Sequence, residues 1–214
     1  MRRGFSLLEA VISCSLLLGC VLAAFGLFEF GSAVFRLGNL RNGLQAQARR
    51  AALSLEGDLR RADYGMMSFV SRSPNGRHRD GLCLPTLRSW STAASFDSTS
   101  GRPRWDGYLV IYATGDGRLI RQLVAPPGAP YTGPWVDFSE ATNLRENPAT
   151  NAAGVALSTL ADQVEEFRID PSGSGDSIRV LIQFRGLGGR RPAGGQQMDE
   201  SLQVEFQIHP ENTL

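Results

Sequence analysis

The chain contains no lysine, and all 22 of its basic residues are arginine. Against 21 acids the net charge is +1, so no bulk positive field points to nucleic acid as a partner. The uniform use of arginine reads as coding bias rather than as a set of planar ion-pairing forks. Cysteine is scarce. Cys14 and Cys20 lie six residues apart, which on a helix is roughly 9 Å of rise and two different directions, so they cannot bridge. Cys83 then has no partner, and cysteine usage leaves the compartment unread. Cys83 in GLCLP reads as a small buried hydrophobe. Histidine is scarcer still, with His78 and His209 isolated from each other and read as solvated surface residues.

These shortages exclude most site chemistry. Asp97, Asp106, Asp116, Asp162, Asp170 and Asp176 are scattered. DPSGSGDS (170–177) carries two acids and glycines but lacks calcium-loop ligand spacing, and reads as a turn. GLGGRR (186–191) follows a strand pattern with no helix signal after it, so it reads as a flexible connection rather than a phosphate cradle. The expectation is no catalytic residue, no cofactor, no metal and no enzymatic activity. Trp90, Trp105 and Trp135 read as core or interface anchors. Arg72, Arg77, Arg79 and Arg88 form a broken basic stretch, read as a solvated loop or as a patch for an acidic neighbour.

What the chain has is an apolar N-terminal run. No charged residue occurs from Ala10 to Phe28, about 28 Å of helix against about 30 Å of hydrocarbon. Arg2 and Arg3 precede the run, so the N-terminus stays cytoplasmic and the remainder is exported. A cleaved signal peptide fits poorly, because the run is long and lacks a small-residue site. VISC (11–14) and LLGC (17–20) loosely fit lipidation sites, but Glu9 would interrupt such a signal, and more apolar residues follow either cysteine. A plain signal anchor explains the span and leaves Glu9 unexplained. An acid at a helix centre in hydrocarbon costs roughly 2.5–3.5 kcal/mol on insertion scales.

The apolar helix continues as an amphipathic one. Leu37, Leu40, Leu44, Ala48, Ala51, Leu55, Leu59 and Ala62 recur at steps of three or four, with Arg49, Glu56 and Arg60 off the stripe. The spacing predicts one helix from Phe5 to about Ala62, weakened by Gly19, Gly26, Gly31, Gly38 and Gly43. Strands follow. YGMMSFV (64–70) and GLCL (81–84) read as strands around a loop at 73–81. Residues 88–106 read as an irregular excursion. GYLVIYA (107–113) and RLIRQLV (118–124) flank TGDG as a hairpin. PPGAPYTGP (126–134) breaks the chain, and 139–154 is polar and weak in pattern. LADQVEEFRID (160–170) contains a strand with Phe167 and Ile169 on one side, and with SIRVLIQF (177–184) and SLQVEFQI (201–208) it reads as a three-stranded meander with one solvated face.

Residues 4–9, GFSLLE, resemble the leader junction of type IV pilins and type II secretion pseudopilins. DLRRADYG (58–65), LVIYATGDGRLIRQL and LADQVEEFRI are similar to segments of the W-type minor pilins and J-type minor pseudopilins. The absence of proline in the long helix and the Arg/Ser-rich insertion depart from the family, and the C-terminal disulfide common in major pilins cannot form here. The resemblance implies cleavage by a prepilin peptidase between Gly4 and Phe5, methylation of the Phe5 amine, and Glu9 as an assembly residue that meets a neighbour's amine. Snorkelling of Glu9 to cytoplasmic headgroups is the simpler alternative.

The expected class is α+β, a long helix with a membrane half and an amphipathic half packed on antiparallel sheet, pilin-like. The divisions are a leader at 1–4, a transmembrane and assembly helix at 5–35, its amphipathic half at 36–62, and a β-rich periplasmic domain at 63–214. The implied function is a minor pilin or minor pseudopilin that primes or caps a type IV pilus or type II secretion pseudopilus. The implied partners are other pilins or pseudopilins, the peptidase and the inner-membrane assembly platform, with no nucleic acid. The implied place is the bacterial inner membrane and then the filament tip or cell surface. The alternative is a lipidated or signal-anchored periplasmic binding protein that does not polymerise.

Overall fold

The structure is a computed structural model and describes residues 6–142, 144–151, 154–171, 177–187 and 199–210. Helix α1 spans Leu7–Arg61 without a break, and its five predicted weak points from Gly19 to Gly43 all lie within it. No proline interrupts it, and its glycines are diluted by leucine, alanine and arginine, which are good helix formers. Ser6 caps its start, with the Ser6 carbonyl accepting from the Ala10 N–H at 3.2 Å. Arg60 and Arg61 lie in the last turn, where cations oppose the helix dipole.

Contacts divide the chain into two units, Met1–Asn42 with Leu187–Glu200, and Gly43–Gly186 with Ser201–Leu214. The first unit carries the apolar part of α1, with Leu7, Leu16, Leu22, Phe28 and Phe35 all largely exposed. This part of α1 is long and apolar enough to cross a membrane. Its hydroxyls are masked from within, since Ser15 Oγ donates to the Val11 carbonyl and Ser32 Oγ to the Glu29 carbonyl, each at 2.9 Å. In hydrocarbon such local bonds supply what water cannot. Arg41 Nε lies 3.7 Å from Glu200 Oε1.

The second unit holds the core. On α1, Leu44, Ala48, Ala51, Leu55 and Leu59 are buried, while Leu40 is half-buried and Leu37 exposed. The stripe is thus buried from Leu44 onward rather than from Leu37. Glu56 and Arg60 form the expected surface pair at 2.6 Å.

Among the described residues eight strands follow, in two antiparallel sheets. The first is β1 (Ser68–Val70), β2 (Gly81–Thr86), β3 (Gly107–Ala113), β4 (Leu119–Val124) and β5 (Gly154–Ala161), in that spatial order. The second is β6 (Val164–Pro171), β7 (Ile178–Leu187) and β8 (Asp199–Ile208). The predicted hairpin forms β3 and β4, and its turn uses Gly117 at φ +85°, with the Val164 carbonyl 3.1 Å from where a Cβ would stand. Glycine is required there on both counts. The predicted meander is the second sheet, and the strand expected within 160–170 is β6, from Val164.

Two expectations fail. The strand read at 64–70 is only Ser68–Val70, because Tyr64–Met66 forms a 3-10 turn. The Asp63 carboxylate accepts from the Gly65 N–H at 2.9 Å and holds that turn, a local bond that competes with strand geometry. β5 was not anticipated. It lies between the stretch read as weak in pattern, 139–154, and the strand expected within 160–170, and Gly154–Thr159 are exposed on both faces, so no alternation of burial selected for alternation of polarity.

The central strand β3 is buried at every position. Leu109, Ile111 and Ala113 join the α1 stripe, whereas Tyr108, Val110 and Tyr112 pack with Cys83, Ile120, Val124, Phe138 and Leu144 on the opposite face. The short helix α2 (Phe138–Thr142) supplies Phe138 to that second layer. On β7, Ile178, Val180, Ile182 and Phe184 face the α1 core as their alternation predicts. Leu55 is fully buried among these groups. Leu55→Ala is expected to lower stability by about 2–5 kcal/mol, the range for a truncated core leucine. Denaturant unfolding of the detergent-solubilised chain, followed by tryptophan fluorescence, measures it.

Candidate functional site

The residue that the sequence singles out is Glu9, and the structure gives it a local partner. Its Oε2 accepts a hydrogen bond from the Ser6 backbone N–H at 3.2 Å. Ser6 is the N-cap of α1 and Glu9 the third helical residue, so S-L-L-E has capping-box spacing. The carboxylate satisfies an amide that an apolar setting would leave unpaired, and it stands in the first turn where negative charge suits the helix dipole. The sequence carries this role as Ser-x-x-Glu, a spacing that the GFSLLE motif overlaps. Glu9 is exposed, so one bond leaves the rest of its acceptor capacity available. Gly4 and Phe5 lie outside the described residues. Cys14 and Cys20 are exposed on α1, without a disulfide.

The basic stretch separates into distinct roles. Arg79 is buried and donates to the Thr114 carbonyl. Arg72 donates to the Arg79 and Ala113 carbonyls, each at 3.0 Å, and lies 5.8 Å from the Tyr112 ring centroid. Arg77 pairs with Glu165 at 2.9 Å. Neither one solvated loop nor one patch describes them, because chain reversal after β1 turns Arg72 and Arg79 towards the β3–β4 turn. Between them Asp80, also buried, accepts from Ser71 Oγ (3.1 Å), the Arg72 N–H (3.2 Å) and the Ile169 N–H (2.9 Å). A buried carboxylate is tolerable only when so satisfied.

His78 is half-buried, with its Nδ1 at 4.0 Å from Asp80 Oδ1, and His209 is exposed. Among the described residues no group of His, Cys, Asp and Glu is arranged to hold a metal. Residues 172–176 and 188–191, the body of the two glycine-rich stretches, lie outside the described residues. Trp105 is buried and meets Trp90 edge-on at 6.1 Å between ring centroids. Trp135 lies 5.4 Å from Tyr108. Both are anchors, as expected, while Trp90 keeps 38% of its surface exposed.

A groove lies at the C-terminal end of α1, lined by Asp58, Arg61, Leu84, Arg88, Trp90 and Arg121 among others, with a volume of about 270 Å³. Arg121 grips Asp58 through two bonds, at 2.7 and 3.0 Å. Those bonds raise the pKa of the guanidinium against the opposing effect of burial. No sequence signal marks this groove, because its residues come from segments far apart in the chain.

Comparison with family models, with curated proteins and with solved structures finds no match.

Burial also perturbs three neutral acids in the layer behind β3. It pushes the Cys83 thiol well up from its ordinary value, and Tyr108 and Tyr112 up to about 12. A raised pKa in the folded state means that unfolding makes ionisation easier. The stability these groups contribute is therefore complete below about pH 9 and is lost as pH climbs towards 12. Cys83→Ala is expected to make that alkaline decline shallower in a series of denaturation curves. The same thiol is expected to resist iodoacetamide at pH 8 until the chain is unfolded, as mass mapping of Cys83 would read.

Proposed function

We propose that this chain is a minor pilin or minor pseudopilin, a structural subunit rather than an enzyme. It is made in the inner membrane, cut between Gly4 and Phe5 by a prepilin peptidase, methylated at Phe5, and assembled through α1 with other pilins at the membrane platform. Its domain after residue 62 is periplasmic, and its final place is at or near a filament tip, where it primes or caps the filament. The observation that carries this reading is the order of features: a short basic leader, GFSLLE, and then α1, which is apolar all round before it becomes amphipathic. A plain anchor needs the apolar run but needs no acid at its start.

Glu9 has two consecutive roles in this reading. In the monomer its carboxylate caps Ser6. In the filament it pairs with the Phe5 amine of a neighbour, and the pairing lowers the cost of charge in an apolar setting. Register between subunits follows from that pair.

The processing step is tested by Gly4→Val, which should leave full-length precursor in the membrane. Intact mass of the wild-type chain should show N-methylated Phe5 at its start. Lipid on Cys14 or Cys20 would instead identify a tethered, non-polymerising protein.

Glu9 variants separate its roles. Glu9→Gln keeps a capping side chain and loses the charge, whereas Glu9→Ala loses both. Both should be cleaved and keep a folded periplasmic domain. Both should co-purify less with partner subunits, and Glu9→Ala should also lose helix content at the start of α1. If Glu9→Gln assembles as wild type, the acid serves only as a cap.

A further inference from the structure

Strand β5 is an unusual edge. It closes one side of the five-stranded sheet, and its sequence, GVALSTLA, has no charged residue and no proline. Edge strands of soluble domains normally carry such residues to prevent a further strand from adding. Val155 is 56% exposed and Leu157 45% exposed, on the face that carries Gln122. Register shifts occur at Leu119/Ile120 and Leu123/Val124, towards the two ends of the pairing with β4. Between them Ala156–Thr159 pair regularly with Leu123–Ile120. The outer backbone of that stretch is paired with no strand among the described residues.

The opposite face of the same stretch opens onto the groove at the end of α1. Ala156 and Leu123 line it together with Leu84, Leu109 and Pro85, which give it an apolar floor. Arg88 stands on its rim, exposed, with no ion pair among the described residues. The Arg121 charge is already matched by Asp58. Trp90 presents a ring 5.8 Å from the Arg61 guanidinium. An occupant that uses every part of this surface needs a backbone to pair, aliphatic side chains for the floor, and a carboxylate for Arg88.

We propose that β5 and the adjoining groove form a docking site for an extended, acidic segment of a partner protein, added as a further strand beside Ala156–Thr159. Alternate side chains of that segment fall on opposite faces of the sheet. One set enters the groove, with a carboxylate meeting Arg88 beside Trp90. The other covers Val155 and Leu157. Main-chain bonds supply affinity, and Arg88 supplies the preference for acid. A nucleic acid would use the arginine and leave the open backbone edge and the apolar floor unused.

The test uses the full chain in detergent and a fluorescently labelled short peptide that alternates glutamate with leucine. Anisotropy should rise on binding and fall with added salt. Arg88→Glu should weaken binding by about tenfold or more, as reversal of a charge at a recognition site does. Trp90→Ala should weaken it too, and circular dichroism of both variants should be unchanged. A peptide of the same sequence, N-methylated at alternate amides, should not bind. Equal binding by a lysine-for-glutamate peptide, by the N-methylated peptide or by Arg88→Glu would overturn the proposal. So would tighter binding of single-stranded DNA, no binding of the peptide up to about 1 mM, or a dimer through β5 that the peptide leaves intact.

Discussion

Leu44, Ala48, Ala51, Leu55 and Leu59 form one stripe on α1, and side chains of both sheets withdraw that stripe from water. A single helix therefore supplies the common wall for eight strands. Each fully buried leucine contributes about 1.5–3 kcal/mol relative to exposure, so the stripe outweighs the local cost of Gly57. Two polar contacts fix its rotation. Asp58 is held by Arg121 of β4, and Gln47 Oε1 accepts from the Asp162 N–H at 2.8 Å in the turn between β5 and β6. Rotation by one residue, about 100°, would carry Asp58 out of reach of Arg121.

The second constraint joins the sheets to each other. Asp80 receives the Ile169 N–H, its own N–H donates to the Phe167 carbonyl at 2.9 Å, and the Phe167 N–H donates to the His78 carbonyl at 2.9 Å. The segment between β1 and β2 therefore acts as a partial extra strand beside β6. Arg72 and Arg79 secure the same segment to the carbonyls at the end of β3 and in the turn after it. Charge in this region is consumed by the fold. Charge at Arg88 is not, and this difference separates a structural arginine from one available to a partner.

The capping bond of Glu9 to Ser6 would offset part of the cost of placing that acid in hydrocarbon. An acid in the first turn of a membrane helix satisfies an otherwise unpaired amide and a favourable dipole position before any partner arrives. In the proposed filament, pairing through Glu9 would need only the carboxylate's remaining acceptor sites. The proposed docking role and the cap are compatible because a carboxylate offers about four such sites, and the cap uses one.

By itself the sequence determined the helix, its change from all-round apolar to striped, the β3–β4 hairpin and the strands β6, β7 and β8. In the α1 stripe and in β7 a repeating pattern of 3.6 or 2 residues matches a repeating burial, whereas β3 was legible as a continuous apolar run before a glycine turn. It also carried the capping box, in four adjacent residues. Only tertiary structure decided the division of strands into two sheets, the presence of β5, and the separate fates of Arg72, Arg79 and Arg88. Over Gly154–Thr159 β5 has no buried face to leave a mark in its sequence, and an arginine's role depends on which distant carbonyl or carboxylate the fold brings to it. Periodicity is local and can be read along a chain, whereas pairing across 35 positions, as between Arg79 and Thr114, is created by the fold.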